Sequence, residues 1–218
     1  MGRRSYGQFC GLARALDVVG DRWSLLVVRE LLVGPARYGE LREALTGVAT
    51  NLLAERLRAL EASGVIERRL DRRRRCTVYA LTEWGEGLRD PVEGLIRWST
   101  PLVAAGRGDD TFQGAWLVVA LQALAGRRTA ARPLAVGVEA ADAQLTVRLD
   151  ETGVSVTLGF DPRPATVLKA EPQVVLGLAS GALTVPEVIA SGTLEGDPRK
   201  LEAVFANLTP PADPVTAG

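Results

Sequence analysis

The sequence predicts an α+β protein in two domains, and three observations carry that reading. Apolar residues recur at helical spacing through the first hundred positions and alternate in strand fashion through much of the chain after 110. A small, glycine-rich and polar segment, AAGRGDD at 104–110, separates the two patterns. Charge divides there as well: residues 1–100 hold 17 arginines, no lysine and 13 acidic residues, a balance of +4, whereas 101–218 hold 9 basic and 13 acidic residues, −4. A basic half joined to an acidic half implies that the first meets a polyanion and the second does not. The expected domains are residues 1–104 and 110–208, with TPPADPVTAG at 209–218 as a frayed tail.

In the first domain each helix is closed by a breaker. Leu12, Leu16 and Val19 share one face of a first helix that Gly20 stops. Asp21 caps a second, DRWSLLVVRELLVG, ending at Gly34 and Pro35. A short helix follows at about Tyr38 to Leu45. The segment VATNLLAERLRALEASG then gives a helix over 49–63 with Leu53, Leu57 and Leu60 inward and Thr50, Asn51, Ala54 and Arg58 outward. VIERRL at 65–70 and CTVYAL at 76–81, joined by DRRRR, form a β-hairpin. Thr82 caps one more helix from Glu83 to about Val103. Helices, an arginine-tipped hairpin and a further helix make a winged helix-turn-helix.

In the second domain TFQGAWLVVALQALAG is apolar on most faces, as a helix buried between layers should be. The strand-like runs PLAVGVE, QLTVRLD and GVSVTLGF follow; Leu145, Val147 and Leu149 share one face of the second, and Val154, Val156, Leu158 and Phe160 one face of the third. ATVLKA is a fourth apolar run. Two short helices, PQVVLGLASG and VPEVIASG, precede a strand at TLEGD and a last helix from Pro198 to Leu208.

Composition excludes several function classes. The chain has no histidine, which removes Ser-His-Asp and Cys-His catalysis and histidine-based metal sites. Cys10 and Cys76 alone cannot build a disulfide framework or a four-ligand zinc site, so no metal, no cofactor and no enzymatic activity are expected. No apolar run approaches the ~20 residues of a membrane span. Asp17 interrupts the N-terminal region before any signal-like apolar stretch develops, and the expected location is cytoplasmic.

The candidate nucleic-acid contacts are Arg37, Thr50, Asn51, Arg56, Arg58, Arg73, Arg74 and Arg75. Asn51 can bond an adenine edge with two hydrogen bonds, Thr50 can meet a base or a phosphate, and Arg56 or Arg58 can hold the backbone. Four consecutive cations, Arg72 to Arg75, repel one another until solvent or an anion relieves them, which suits phosphate or a narrow minor groove.

CGLARALDVVGDRWSLLVVREL resembles the opening of the HxlR-type winged-helix regulators of bacteria, with a cysteine before the first helix and the GxxW pair Gly20 and Trp23. GPARYGELREALTGVATNLLAERLRALEASGVIERR, VYALTEWGEGL and Trp98 extend the likeness over roughly residues 8–100. The resemblance implies a homodimeric transcription factor. Its first and last helices would form the dimer interface, the helix at 49–63 would read double-stranded DNA, and Arg73 to Arg75 would lie in the wing. Cys10 occupies the position through which some members sense oxidants or electrophiles, although Gly11 stands where the family has proline. Arg14, one turn on, would lower the thiol pKa while Asp17 opposes it.

The stretch from AQLTVRLDETG to LEAVFANL resembles the sterol-carrier-protein-like lipid-binding fold. The likeness lies in its alternating strands, the ASGALTVPE turn and the SGTLEGDPRKL return, and it covers about 130–208. This resemblance implies an apolar tunnel for a fatty-acyl, sterol or similar ligand. On periodicity its candidate lining residues are Trp116, Leu158, Phe160, Leu176 and Phe205.

Overall fold

A computed structural model describes residues 5–104, 108–126 and 128–205. Part of the expected linker, the end of the expected last helix beyond Phe205 and the expected tail lie outside the described residues. Two compact units divide between Val92 and Glu93.

The first unit holds α1 (Gly11–Val19), α2 (Ser24–Val33), α3 (Tyr38–Ala44) and α4 (Thr50–Ala62), then strands β1 (Ile66–Asp71) and β2 (Cys76–Leu81) and helix α5 (Glu83–Glu86). Helix α6 (Arg89–Ala104) begins in this unit and continues into the second. Val27, Val28 and Leu31 of α2 and Leu53, Leu57 and Leu60 of α4 are buried together with Leu41, Val65 and Val78, so the leucine stripe faces inward as its spacing requires. α1 is split between core and surface: Ala13 and Val19 are buried, Leu12 is 69% exposed.

Two local expectations are corrected. Asp21 does not cap α2; the helix starts at Ser24 after Trp23, which takes a left-handed backbone at φ 80°. The Asp21 carboxylate is engaged instead by Arg56, from a different helix. The helix expected from Glu83 to Val103 is also broken. Thr82 caps it as expected, its hydroxyl accepting the Gly85 N–H at 3.0 Å, but α5 ends at Glu86 and α6 restarts at Arg89. Pro91 lacks the N–H that a continuous helix would need there, and it is tolerated in the first turn of a new helix. Gly85 lets that helix approach the sheet: a Cβ there would stand 2.0 Å from the Val65 carbonyl oxygen.

β1 and β2 pair antiparallel from Ile66↔Leu81 to Asp71↔Cys76, leaving Arg72 to Arg75 as the hairpin tip. The Asp71 carboxylate accepts the N–H groups of Arg73 and Arg74 at 2.9 and 3.0 Å, closing the turn. Ala36 adds a bridge to Tyr79, which ties the segment before α3 to the hairpin.

The second unit follows α6 with a 3-10 turn (Gly114–Trp116), α7 (Leu117–Ala125), β3 (Leu134–Ala140), β4 (Ala143–Asp150), β5 (Gly153–Leu158) and β6 (Val167–Lys169). α8 (Pro172–Ser180), α9 (Val185–Ser191), β7 (Thr193–Glu195) and α10 (Pro198–Phe205) complete it. The sheet order is β5-β4-β3-β6-β7, antiparallel except for β3 beside β6. Leu145, Val147 and Leu149 are buried on one face of β4, as their alternation requires. α7 brings Leu117, Val119 and Leu121 into the same core, with Val175, Val188 and Leu201 from the later helices. The α8–α9 turn is set by Gly181 at φ 77° and by Thr184, whose N–H and hydroxyl both donate to Glu187 at 2.7 Å.

Candidate nucleic-acid interface

The start of α4 is held by its neighbours. The Tyr38 hydroxyl of α3 donates to the Thr50 carbonyl at 2.9 Å, and Leu53 and Leu57 anchor the helix from below. Thr50, Asn51 and Arg58 are left exposed, Arg58 folding its Nε back to the Ala54 carbonyl at 3.2 Å. These groups can reach an outside partner without disturbing the core.

Arg56 is different. It is 8% exposed and turned inward, where Nη1 pairs with Asp21 and Nη2 with Glu55 at 2.7 Å. Its Nε is buried and has no acceptor among the described residues. A guanidinium in this position ties the α1–α2 turn to α4 and is not presented to an outside phosphate. Helical spacing held the signal, because position 56 lies on the stripe made by 53, 57 and 60. The same α1–α2 turn reaches the α3–α4 turn: the Trp23 ring edge lies 4.0 Å from where a Cβ on Gly47 would stand, and Gly47 has φ +86°.

Arg72 to Arg75 are all exposed. Arg74 is the one tip arginine that makes ion pairs among the described residues, to Glu40 at 3.4 Å and to Asp71 at 3.6 Å. Arg37 is exposed beside them. Its backbone N–H donates to Glu40 Oε2 at 2.7 Å and its guanidinium pairs with Oε1 at 2.9 Å. The Arg37 N–H, then its side chain and charge and that of Arg74, hold the Glu40 carboxyl below the usual glutamate value. Glu40 in turn pushes the Arg37 guanidinium up. The N–H groups of Arg74 and Arg73 keep the Asp71 carboxyl low as well. Sequence reasoning missed Glu40, although its place three residues after Arg37 is capping-box spacing.

Cys10 is exposed at the start of α1. The Ala13 N–H and then that of Leu12 draw its thiol below the ordinary value. Arg14, expected to do this, pairs with Asp17 at 3.7 Å. Cys76 is half-buried at the first position of β2.

In the second unit the five candidate lining residues have different surroundings. Phe205 is buried in the core. Leu176 is half-buried on α8. Trp116 packs edge-on against Phe112, centroids 6.1 Å apart. Phe160 lies over β3, where a Cβ on Gly137 would come within 2.9 Å of its ring, and the Arg163 guanidinium covers it at 5.2 Å. Leu158, 50% exposed at the end of the edge strand β5, borders an open groove of about 940 Å³. That groove is lined by Glu139, Asp142, Gln144, Lys169, Glu171 and Thr193 together with alanines and glycines, so its walls are about half polar and half apolar.

No helix among the described residues is long and apolar enough to cross a membrane. The model of the HxlR-like helix-turn-helix family matches residues 18–105. The uncharacterized HTH-type transcriptional regulator YkvN of Bacillus subtilis (strain 168) is 34% identical over 90 residues, 41% of this chain and 76% of the relative. The HTH-type transcriptional regulator YodB of the same organism is 31% identical over 93 residues, 42% of this chain and 83% of its own length. The solved reduced form of YodB is 29% identical and gives a TM-score of 0.39, covering 45% of this chain and 99% of that one. The family and these relatives are transcriptional regulators, not enzymes. Through residues 18–105 the chain belongs to the HxlR-like helix-turn-helix family of transcriptional regulators.

Proposed function

We propose that the protein acts as a homodimer that places α4 in the DNA major groove and its wing against backbone phosphates, with binding modulated by a small apolar ligand. The observation that carries the DNA reading is the pairing of exposed Thr50, Asn51 and Arg58 with a hairpin tip whose Arg72, Arg73 and Arg75 make no ion pair among the described residues. Arg37 and Arg74 stand beside this tip, both paired with Glu40. Dimerisation is supported by apolar side chains left in solvent at helical spacing, Leu12 and Leu16 on α1, and Leu95, Trp98 and Leu102 on α6, with Trp98 75% exposed. A twofold dimer presents two recognition helices about one DNA turn apart to a pseudo-palindromic site.

The test is selection of bound sequences from a randomised duplex pool, with light scattering for mass. Enrichment of an inverted repeat by a dimer supports the reading; a monomer that enriches nothing overturns it.

The second unit we read as a sterol-carrier-like domain, on the strength of the motifs in residues 130–208 and of an α+β core in which helices cover a five-stranded sheet. A ligand there changes DNA affinity only as far as it binds the two conformations differently. Native mass spectrometry of gently purified protein would reveal a retained lipid-sized molecule. Bare subunits, with no added fatty acid or sterol taken up, would reduce this unit to a scaffold.

A second reading, favoured by the exposed and pKa-lowered thiol of Cys10, is oxidant sensing with the second unit as scaffold. A Cys10→Ser protein whose DNA binding still responds normally to oxidant would eliminate it.

A further inference from the structure

One carboxylate is shared by two arginines that the sequence places 37 positions apart. Glu40 Oε2 accepts the Arg37 N–H at 2.7 Å, Oε1 holds the Arg37 guanidinium at 2.9 Å, and both oxygens face Arg74 Nη1 of the wing at 3.4 Å. Asp71 adds a second acceptor for Arg74 at 3.6 Å. Two cations and two anions cancel within this group, while Arg72, Arg73 and Arg75 beside it keep their charge uncompensated by ion pairs among the described residues.

Capping α3 requires only one oxygen, the one that takes the Arg37 N–H, and a glutamine supplies it equally well. The second oxygen and the negative charge are therefore surplus to the helix. Carboxylate and phosphate are alternative partners for the same guanidinium fork. The Arg37 and Arg74 pairs are exposed, so solvent screens them and either arginine can exchange one acceptor for the other.

Resting on the DNA-binding reading above, we propose that Glu40 competes with DNA phosphate for Arg37 and Arg74 and thereby holds down affinity for DNA of any sequence. Without this restraint the wing and the start of α3 would bind duplex through charge alone, a term that carries no sequence information. Glu40 is a positioning residue: it touches the arginines, not the nucleic acid.

The experiment titrates full-length protein into a labelled random-sequence duplex over a range of salt. Glu40→Gln should bind about 3–10-fold tighter at low salt, with a log–log salt slope steeper by about one to two, since each added phosphate contact contributes ~0.9. Arg74→Gln should change the slope little in the wild type and remove about one unit in the Glu40→Gln background. A structural role alone would not move the salt slope, and thermal unfolding verifies that the variants are folded. Folded Glu40→Gln with wild-type affinity and slope overturns the proposal. Should that variant not fold, Arg74→Gln alone decides: loss of a full ~0.9 from the wild-type slope shows that Arg74 already meets phosphate and overturns it. Salt-independent binding by the wild type would overturn the DNA-binding reading itself.

Discussion

The two units each contain a hairpin closed by the same device, and the contrast between them separates geometry from function. At β1–β2 the last strand residue, Asp71, accepts the N–H groups of Arg73 and Arg74; at β4–β5 the last strand residue, Asp150, accepts the Thr152 N–H at 2.8 Å and its hydroxyl at 2.6 Å. Both carboxyls are held below the usual aspartate value, Asp71 by the N–H groups of Arg74 and Arg73, Asp150 by the hydroxyl and then the N–H of Thr152. One turn carries four arginines and the other Glu151 and Thr152. An aspartate-closed turn thus needs no cations, and closing the turn does not account for the arginines of the first hairpin. Several arginines of the second unit serve the fold: Arg128 donates to the Val204 and Ala203 carbonyls at the end of α10, and Arg163 bridges Glu139 and Glu195.

The cores beneath the hairpins should respond alike, and this is the largest effect expected. Leu57→Ala on α4, which packs on β1, and Leu145→Ala in β4 each remove a fully buried leucine, at a cost of about 2–5 kcal/mol in urea unfolding. A loss under ~1 kcal/mol at either site would show that hairpin to rest on a loose core. The tips should then diverge. Replacing Arg72, Arg73 and Arg75 together by glutamine should flatten the salt slope of DNA binding by about two to three while changing stability by less than ~0.5 kcal/mol. Glu151→Gln should leave DNA binding as it is. Equal effects on DNA from both tips would break the contrast.

Asp21→Asn sharpens it from within the first unit. Among the described residues it leaves the inward-turned Arg56 with Glu55 as its ionic partner. Because Asp21 is 69% exposed and screened, the expected loss is about 1–2 kcal/mol, read by thermal unfolding. No change would mean that water replaces the carboxylate at no cost.

The smallest effect concerns pH. A carboxyl whose pKa is lower folded than unfolded stabilises the fold above its unfolded value, near the ordinary ~3.9, and loses that contribution as pH falls through the folded value. Carboxyl carbon shifts of Asp71 and Asp150 should therefore both titrate below ~3.9, and the two tips should loosen together only in acid. An ordinary midpoint for one of them would mean that its turn is open in solution.

Much of this was legible in the residues, unevenly and for identifiable reasons. The α4 stripe, the alternation of β4 and the two strands of the arginine hairpin follow from local periodicity, because burial of one face repeats every 3.6 or 2 residues; that Asp71 pairs with Cys76 and leaves a four-residue tip does not. The inward turn of Arg56 is not legible from spacing alone, since its partner Asp21 lies 35 positions away. The aromatic residues of the second unit are legible as apolar, but their packing partners are not. Phe160 depends on a glycine in another strand, and Trp116 on Phe112.

The sequence by itself determined the α+β class, the change of pattern after residue 100, the basic first half and the family of residues 18–105, because these depend on composition, on short-range periodicity and on contiguous motifs. Only the tertiary structure decided which arginines are left for a partner. Arg56, Arg74 and Arg73 are alike in residue type, yet one is buried against Asp21, one is paired with Glu40, and one makes no ion pair among the described residues. A guanidinium's availability is set by the carboxylates that folding brings within 4 Å, and Asp21 and Glu40 reach Arg56 and Arg74 from a turn and a helix that the chain order does not place beside them.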